Sequence, residues 1–232
     1  MIKFWDFTVK NLWVINIRGV EVWITQTIFN TWIIMLILIA AAVAIRIKLR
    51  RLQDIPTGAQ NVVEAVIELF DGFVQNTAGV KLKNLGDWFF MVFVFILTSN
   101  LSGLVGLRPP TADWCTTFAF ALATFILIQL MGTIYTRGTY LKNFFKPNFI
   151  FLPLNLIGEL ARPVALSFRL FGNALAGMIL VSLFYTLTPV YARFFIPATL
   201  HAYFDLFSGV LQTYIFCVLS LTFIGVAASS EG

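Results

Sequence analysis

Two arginines and an asparagine share one face of an otherwise apolar segment. Arg162, Arg169 and Asn173 are separated by seven and four residues, so a helix would stack them two turns and one turn apart. A charged side chain at mid-bilayer costs at least about 2.5 to 3.5 kcal/mol on insertion scales, so it marks a functional site by default. Arg169 lies too deep in its apolar run to be a snorkelling end residue. We therefore predict a functional cation at Arg169.

Small residues flank the face that carries Arg169. They are Gly172, Ala176 and Gly177. Small side chains let a second helix approach the backbone closely, which favours an external helix as partner.

A second polar stripe follows in the last apolar segment. His201, Asp205, Ser208 and Gln212 are separated by four, three and four residues. One interpretation is a buried, hydrogen-bonded seam between helices, which would suffice for a lone glutamine or serine. The presence of Asp205 and of an intramembrane arginine favours a solvated ion path instead.

The bulk composition indicates a membrane protein. The chain has 232 residues, of which 59% are hydrophobic and only 12% charged. Its net charge of +5 comes from short basic clusters beside apolar runs, which is typical of topology signals and argues against a nucleic-acid partner. Cys115 and Cys217 lie in apolar runs far apart, so we expect two buried, small apolar side chains.

The apolar runs predict an all-α integral membrane protein, a single membrane domain over residues 1–232. It should have five membrane-crossing helices plus one interfacial amphipathic helix. The two last helices exceed the length of one perpendicular crossing and should be strongly tilted. The predicted segments are an external N-terminal segment 1–25, a first crossing helix 28–45, the amphipathic helix 58–78, crossing helices 88–107 and 114–136, and long tilted helices 148–188 and 192–228.

Basic residues predict the orientation in the membrane. Arg46, Lys48, Arg50 and Arg51 directly follow the first crossing helix and mark that end as cytoplasmic. The N-terminus is then outside, and after five crossings Glu231 is cytoplasmic. Lys and Arg divide as nine inside (46, 48, 50, 51, 81, 83, 137, 142 and 146), five outside (3, 10, 18, 108 and 193) and two within the membrane.

The beginning of the chain shows neither the apolar block of a signal peptide nor the composition of a transit peptide. A bacterial cytoplasmic membrane is the expected location, and an organelle-encoded protein is the minor alternative. There is no internal sequence repeat, which argues against an inverted-repeat transporter.

Several motifs carry a specific family resemblance. The stretch "RPVALSFRLFGNALAG" resembles the signature segment of subunit a of bacterial F-type ATP synthases, and "LQTYIF" resembles the matching part of that family's last helix. The likeness continues upstream through "NTWIIML", "PTGAQNVVEAVIE", "TSNLSGL" and "TADWCTTFAFALATF". These motifs occur in unbroken order over roughly residues 22 to 230.

The resemblance implies a stator subunit in the Fo sector of a rotary ATP synthase. Its partners would be the c-subunit ring, the b-subunit peripheral stalk, the remaining FoF1 subunits and membrane lipid. Arg169 corresponds to the family's essential arginine, and Asn173 and Gln212 to polar residues beside the ring. The two tilted helices would provide two half-channels, one opening to each side of the membrane.

Two positions depart from the commonest family pattern. Met178 stands nine residues after the arginine, where many members carry an acidic or histidine side chain, and Asp205 replaces a histidine or glutamate. The outer half-channel should therefore use Asp205, with His201 one turn away. Glu159 is the candidate for the inner half-channel, although its alternative role is that of an ion-pair partner for Arg162.

The sequence offers no pattern for hydrolytic chemistry, nucleotide binding or a cofactor. A single histidine without cysteine neighbours is a poor metal site, so no metal is expected at His201. ATP chemistry would belong to partner subunits. An alternative function is an independent ion channel or anion transporter that uses Arg169 as its binding site, and a third is a structural membrane scaffold.

Overall fold

The computed structural model describes residues 11–17, 20–49, 58–136, 150, 152–189 and 195–229. The chain forms two compact units. The first unit comprises Met1–Lys48, Val94–Thr116 and Leu170–Thr213, and the second comprises Leu49–Phe93, Thr117–Arg169 and Tyr214–Gly232. In the basic loops, Arg50, Arg51, Arg137, Lys142 and Lys146 lie outside the described residues, as do the terminal Glu231 and the predicted external Arg193.

The prediction of an all-α membrane protein with five crossing helices is confirmed, because five described helices are long and apolar enough to cross a bilayer. In lipid a helix satisfies its own backbone groups, which explains the near-total use of helices. The described helices are α1 (Gln26–Lys48), α2 (Ala59–Ala78), α3 (Gly86–Leu101), α4 (Trp114–Tyr135), α5 (Leu152–Leu187), α6 (Ile196–His201) and α7 (Gly209–Ser229). A π-helical turn over Ala202–Ser208 joins α6 to α7, so that Ile196–Ser229 forms one apolar helix of 34 residues.

A β-hairpin precedes α1 and was not predicted. Its strands β1 (Asn11–Ile17) and β2 (Val20–Thr25) pair antiparallel, with Val14 opposite Trp23. The ring of Trp13 meets that of Phe29 edge-on at 6.2 Å. The hairpin thereby contacts the first turns of α1 within the first unit.

Helix α1 presents most of its surface outward. Its buried residues are Thr27, Asn30 and Ile34, which recur every three or four positions and define one packed face. The remaining apolar surface suits contact with lipid.

The amphipathic helix α2 packs through its aromatic residues within the second unit. Phe70 meets Phe90 and Phe93 of α3 at 5.1 and 5.3 Å between ring centroids, and Phe73 meets Tyr214 of α7 at 5.8 Å. The end of α2 also passes very close to α7, because a Cβ added at Gly225 would lie 3.0 Å from the backbone of Ala78. A glycine is therefore required at this helix crossing.

Each unit has its own packed interior. In the first unit, Ile34, Ile96 and Leu170 are almost completely buried. In the second, the largest fully buried side chains include Phe89 and Phe216. The expected burial of the two cysteines is confirmed for Cys217 but wrong for Cys115, which is exposed in the first turn of α4.

Candidate functional site

Arg169 projects from the exposed side of α5. Leu166, Ser167 and Leu170 are buried on the other side of the helix, whereas Arg169 and Phe168 are exposed. The hydroxyl groups of Ser167 and Thr117 are hydrogen-bonded at 3.2 Å, which fixes this part of α5 to α4. Within the described part of the chain, Arg169 makes no hydrogen bond and no ion pair. The fold thus leaves the Arg169 guanidinium exposed at the surface of the described chain.

Asn173 follows Arg169 by one turn and contacts the last long helix. The hydroxyl group of Ser208 donates to Asn173 Oδ1 at 2.7 Å. Gln212 is buried, and its Nε2 has no hydrogen-bond acceptor among the described residues. Gly177, one of the small residues near this face, is used internally, because a Cβ there would lie 2.9 Å from Phe204 Cβ. By contrast, an added Cβ at Gly172 would meet no atom within 4 Å.

His201 and Asp205 form a pair in the first unit. His201 Nδ1 lies 2.5 Å from Asp205 Oδ2, and both side chains are mostly but not fully buried. The ring of Tyr185 lies 6.0 Å from the imidazole. With Asp205 ionised, the Nδ1–H group donates to the carboxylate, and Nε2 stays available for a second proton transfer partner.

A small cavity adjoins this pair. It has about 30 Å³ of space, enough for one or two water molecules. Its lining residues are Gly103, Leu107, Arg108, Pro109, Met178, Val181, Ser182, His201 and Asp205. The wall of the cavity is mostly apolar, and the polar side chains of Ser182, His201 and Asp205 are among its lining residues.

Two residues of this cavity were missed by the sequence analysis as site residues. Arg108 was placed in an external loop, but it is 8% exposed, and its carbonyl accepts from Asn30 Nδ2 at 2.9 Å. Gly103 gives room to the carboxylate of Asp205, since an added Cβ would lie 2.8 to 2.9 Å from its Cγ and both Oδ atoms. Met178, an apolar residue, lines the same cavity.

Glu159 lies in the second unit, on the first half of α5. Its Oε1 is 2.7 Å from Arg162 Nη1, so the ion pair expected at this spacing is present. Gln129 Nε2 approaches the other carboxylate oxygen at 3.5 Å, a long hydrogen bond. The Arg162 guanidinium also lies over the ring of Phe223, 5.1 Å from its centroid.

No group of three or more His, Cys, Asp or Glu side chains that could hold a metal ion occurs among the described residues. The polar residues instead form separate pairs and a small cavity. The cavity has room for water, and the pairs provide charged groups of both signs.

The five apolar helices make the chain a multi-pass membrane protein. The family model described as ATP synthase A chain matches residues 28–225. The chain therefore belongs to the family of ATP synthase subunit a, the non-catalytic Fo subunit of the ion-translocating ATP synthase, in a bacterial membrane.

Similar curated proteins cover most of the chain. It is 37% identical to ATP synthase subunit a of Moorella thermoacetica over 218 residues, which are 90% of this chain and 96% of the relative. It is 34% identical over 219 residues to a subunit a described as sodium ion specific, from Propionigenium modestum, covering 87% of this chain and 73% of the relative. A subunit a from a Picosynechococcus strain is 36% identical over 214 residues, or 90% and 88% of the two chains.

Proposed function

We propose that this chain is the stator that passes protons or sodium ions to and from a ring of c subunits, with Arg169 as its fixed positive charge. The observation that carries the proposal is the exposed Arg169 guanidinium, which has no hydrogen-bond or ion-pair partner within the described residues. A charged side chain in an apolar membrane segment is unfavourable unless an opposite charge or polar groups lie beside it. A carboxylate on a ring subunit would supply that compensation.

The guanidinium group suits this task because it stays protonated at physiological pH and cannot carry protons itself. When a ring carboxylate arrives opposite Arg169, the positive charge favours the ionised carboxylate and expels its bound cation. The same charge repels any cation that would pass directly between the two half-channels. Arg169 thus couples release to rotation and prevents leak.

The attraction between Arg169 and the ring carboxylate has to be transient. A desolvated salt bridge would hold the ring in place, because breaking a buried pair is strongly unfavourable. The exposed position of Arg169 permits a hydrated contact, which is weaker. Rotation can then bring the next carboxylate into place.

The outer half-channel includes the cavity beside Asp205 and His201. Asp205 accepts or attracts the cation there, and His201 donates to it one turn away. Asn173 and Gln212 provide polar groups near the ring, and Glu159 serves the inner half-channel. The N-terminus lies outside and the C-terminus in the cytoplasm in this proposal, which the basic residues Arg46 and Lys48 at the end of α1 support.

Helices α5 and α6–α7 lie strongly tilted against the ring in this arrangement. Their lengths support it, because 36 and 34 helical residues exceed the roughly 20 needed to cross a bilayer upright. The b-subunit stalk would hold the stator still. The membrane potential then determines the direction of ion flow, since moving one charge across it changes the free energy by roughly 2.3 kcal/mol per 100 mV.

The test is ATP-driven ion pumping in inverted vesicles that contain the complete complex with Arg169→Ala. We expect pumping to fall about 100-fold or more, the rate factor for about 3 kcal/mol of lost charge stabilisation. Lys83→Ala is the control, since Lys83 is a cation half exposed and paired only loosely with Asp71 at 3.4 Å. Full pumping by the assembled Arg169→Ala complex would refute the proposal. Wild-type assays with and without sodium identify the ion.

A further inference from the structure

The last long helix changes its hydrogen-bonding pattern at the residue that lines the cavity. Residues Ala202–Ser208 form a π-helical turn with Asp205 at its centre. The N–H group of Gly209 donates to the carbonyl of Phe204 and closes the turn. Such turns are rare and occur frequently at functional sites, because the extra residue changes the direction in which side chains point.

The buried side chain of Asn100 holds the end of this turn. Its Nδ2 donates to the carbonyl of Gly209 at 3.1 Å and to Thr213 Oγ1 at 3.3 Å, while its Oδ1 accepts from the hydroxyl group of Thr111 at 2.7 Å. The Thr213 hydroxyl group donates to the same Gly209 carbonyl at 2.8 Å. Both side-chain polar atoms of Asn100 are therefore hydrogen-bonded. One bond reaches Gly209, which closes the π turn, and another reaches Thr213, one helical turn further on.

The same segment also contacts the middle of the turn. Gly103, three residues after Asn100, is the residue against which the Asp205 carboxylate lies. A Cβ at Gly209 would lie 3.0 Å from Asn100 Cβ, so the two backbones approach closely at this point as well. The segment from Asn100 to Gly103 thus fixes both the end of the turn and its acidic residue.

We propose that Asn100 is a positioning residue for the outer half-channel, and that it keeps Asp205 directed into the cavity by holding the π turn in register. This inference rests on the proposed function of Asp205. If the turn relaxed to α-helical hydrogen bonding, the register would shift by one residue, which corresponds to a rotation of about 100° around the helix axis. Asp205 would then leave the cavity and a neighbouring side chain would replace it.

The register can be measured by thiol labelling in the assembled complex. Cys115 and Cys217 are first replaced by alanine, and Phe204→Cys, Asp205→Cys or Leu206→Cys is introduced singly. Vesicles are treated with methyl methanethiosulfonate, a small thiol reagent, and the modified fraction is determined by mass spectrometry. Position 205 should react fastest. Adding Asn100→Leu should lower its labelling rate about tenfold, as expected for the loss of two hydrogen bonds, and raise the rate at position 204 or 206.

Two further variants make the test specific. Ser99→Ala is the matched control, because Ser99 is fully buried next to Asn100 and its hydroxyl group has no hydrogen-bond partner among the described residues. It should leave the labelling pattern unchanged. Thr111→Val removes only the bond to Asn100 Oδ1 and should shift the pattern partially, with Thr111→Ser restoring it. If the Asn100→Leu complex does not assemble, the labelling pattern of Thr111→Val tests the positioning role of Asn100 instead.

The outcomes separate this inference from the proposed function. An unchanged labelling pattern in Asn100→Leu or Thr111→Val overturns the positioning role, even if pumping declines. Asp205→Asn, assayed for pumping without any cysteine substitution, tests the carboxylate itself. Wild-type pumping by Asp205→Asn would contradict the role of Asp205 in the ion path, whatever the labelling shows.

Discussion

The Nδ1 atom of His201 lies 2.5 Å from the Oδ2 atom of Asp205, one turn further along the last long helix. Both side chains line the cavity of the first unit, so the pair has space for water beside it. The imidazole can orient the carboxylate and exchange a proton with it, so under the proposed function the two residues contribute differently to ion entry.

These contributions predict unequal effects of two substitutions. Asp205→Asn should lower pumping by about 100-fold, the scale of a lost proton-transfer group. His201→Gln should lower it by only about tenfold, because a glutamine amide can still donate to the carboxylate but cannot exchange a proton. Pumping is measured at equal complex content. Tyr203→Phe is the control, since Tyr203 belongs to the same π turn but is largely exposed. Equal activity of Asp205→Asn and wild type would contradict the prediction.

The contact between Gly103 and the Asp205 carboxylate predicts that a larger residue at position 103 displaces the carboxylate. In Gly103→Ala the new Cβ would lie within 2.9 Å of three atoms of Asp205, so the carboxylate has to move. We expect reduced pumping in a complex that still assembles. Gly72→Ala is the matched control, because a Cβ at Gly72 meets no atom within 4 Å. A Gly103→Ala complex that pumps at the wild-type rate would show that the carboxylate does not need this position.

The close approach of Gly225 to the backbone of Ala78 affects the stability of the fold rather than ion transport. In Gly225→Ala the Cβ would meet the Cα and carbonyl oxygen of Ala78 at 3.0 Å, and backbone atoms cannot rotate away as a side chain can. The overpacking should destabilise the fold by about 1 to 3 kcal/mol. Thermal unfolding of the purified complex measures this change as a lower transition temperature. Gly72→Ala should show no decrease, because alanine in an open helical position is favourable.

The crossing helices could be predicted from the sequence because a bilayer imposes both length and apolar composition on them. The hairpin was missed although its signal is present. Val20, Val22 and Ile24 alternate with other residues, and a glycine lies between the two strands, which is typical of a β-hairpin.

The site was only partly predictable. The polar residues of the last helices were found because charges are conspicuous in an apolar segment. The contributions of Asn100 and Gly103 depend on contacts with residues about 100 positions away, and no local spacing encodes these contacts. The π turn has no periodic signal of its own, since one inserted residue changes the hydrophobic pattern little. Arg108 does lie in a loop before Pro109 and Pro110, but tertiary packing buries it, and this burial depends on contacts that the local sequence does not show.

The contacts of Glu159 fit two roles that experiment can separate: partner of Arg162 in an ion pair, or ion-exchanging group of the inner half-channel. Its carboxylate is paired with Arg162 at 2.7 Å, and the guanidinium is held in turn over Phe223. If Glu159 serves only as the partner of Arg162, then Glu159→Gln and Arg162→Gln should have equal effects. The double variant should then be no worse than either single one. If Glu159 belongs to the inner half-channel, its carboxylate is needed even when Arg162 is absent.

We expect that the Glu159 carboxylate is needed even when Arg162 is absent. Glu159→Gln should lower pumping about tenfold or more, as for a lost ion-exchanging group, and Arg162→Gln should retain most of the activity. The double variant should be as inactive as Glu159→Gln alone. Phe223→Leu is a control for the guanidinium contact, because it removes the ring beneath Arg162 and leaves the ion pair intact. The decisive comparison is the pumping rate of Glu159→Gln in the Arg162→Gln background. Recovery to the Arg162→Gln level would show that Glu159 acts only as an ion-pair partner.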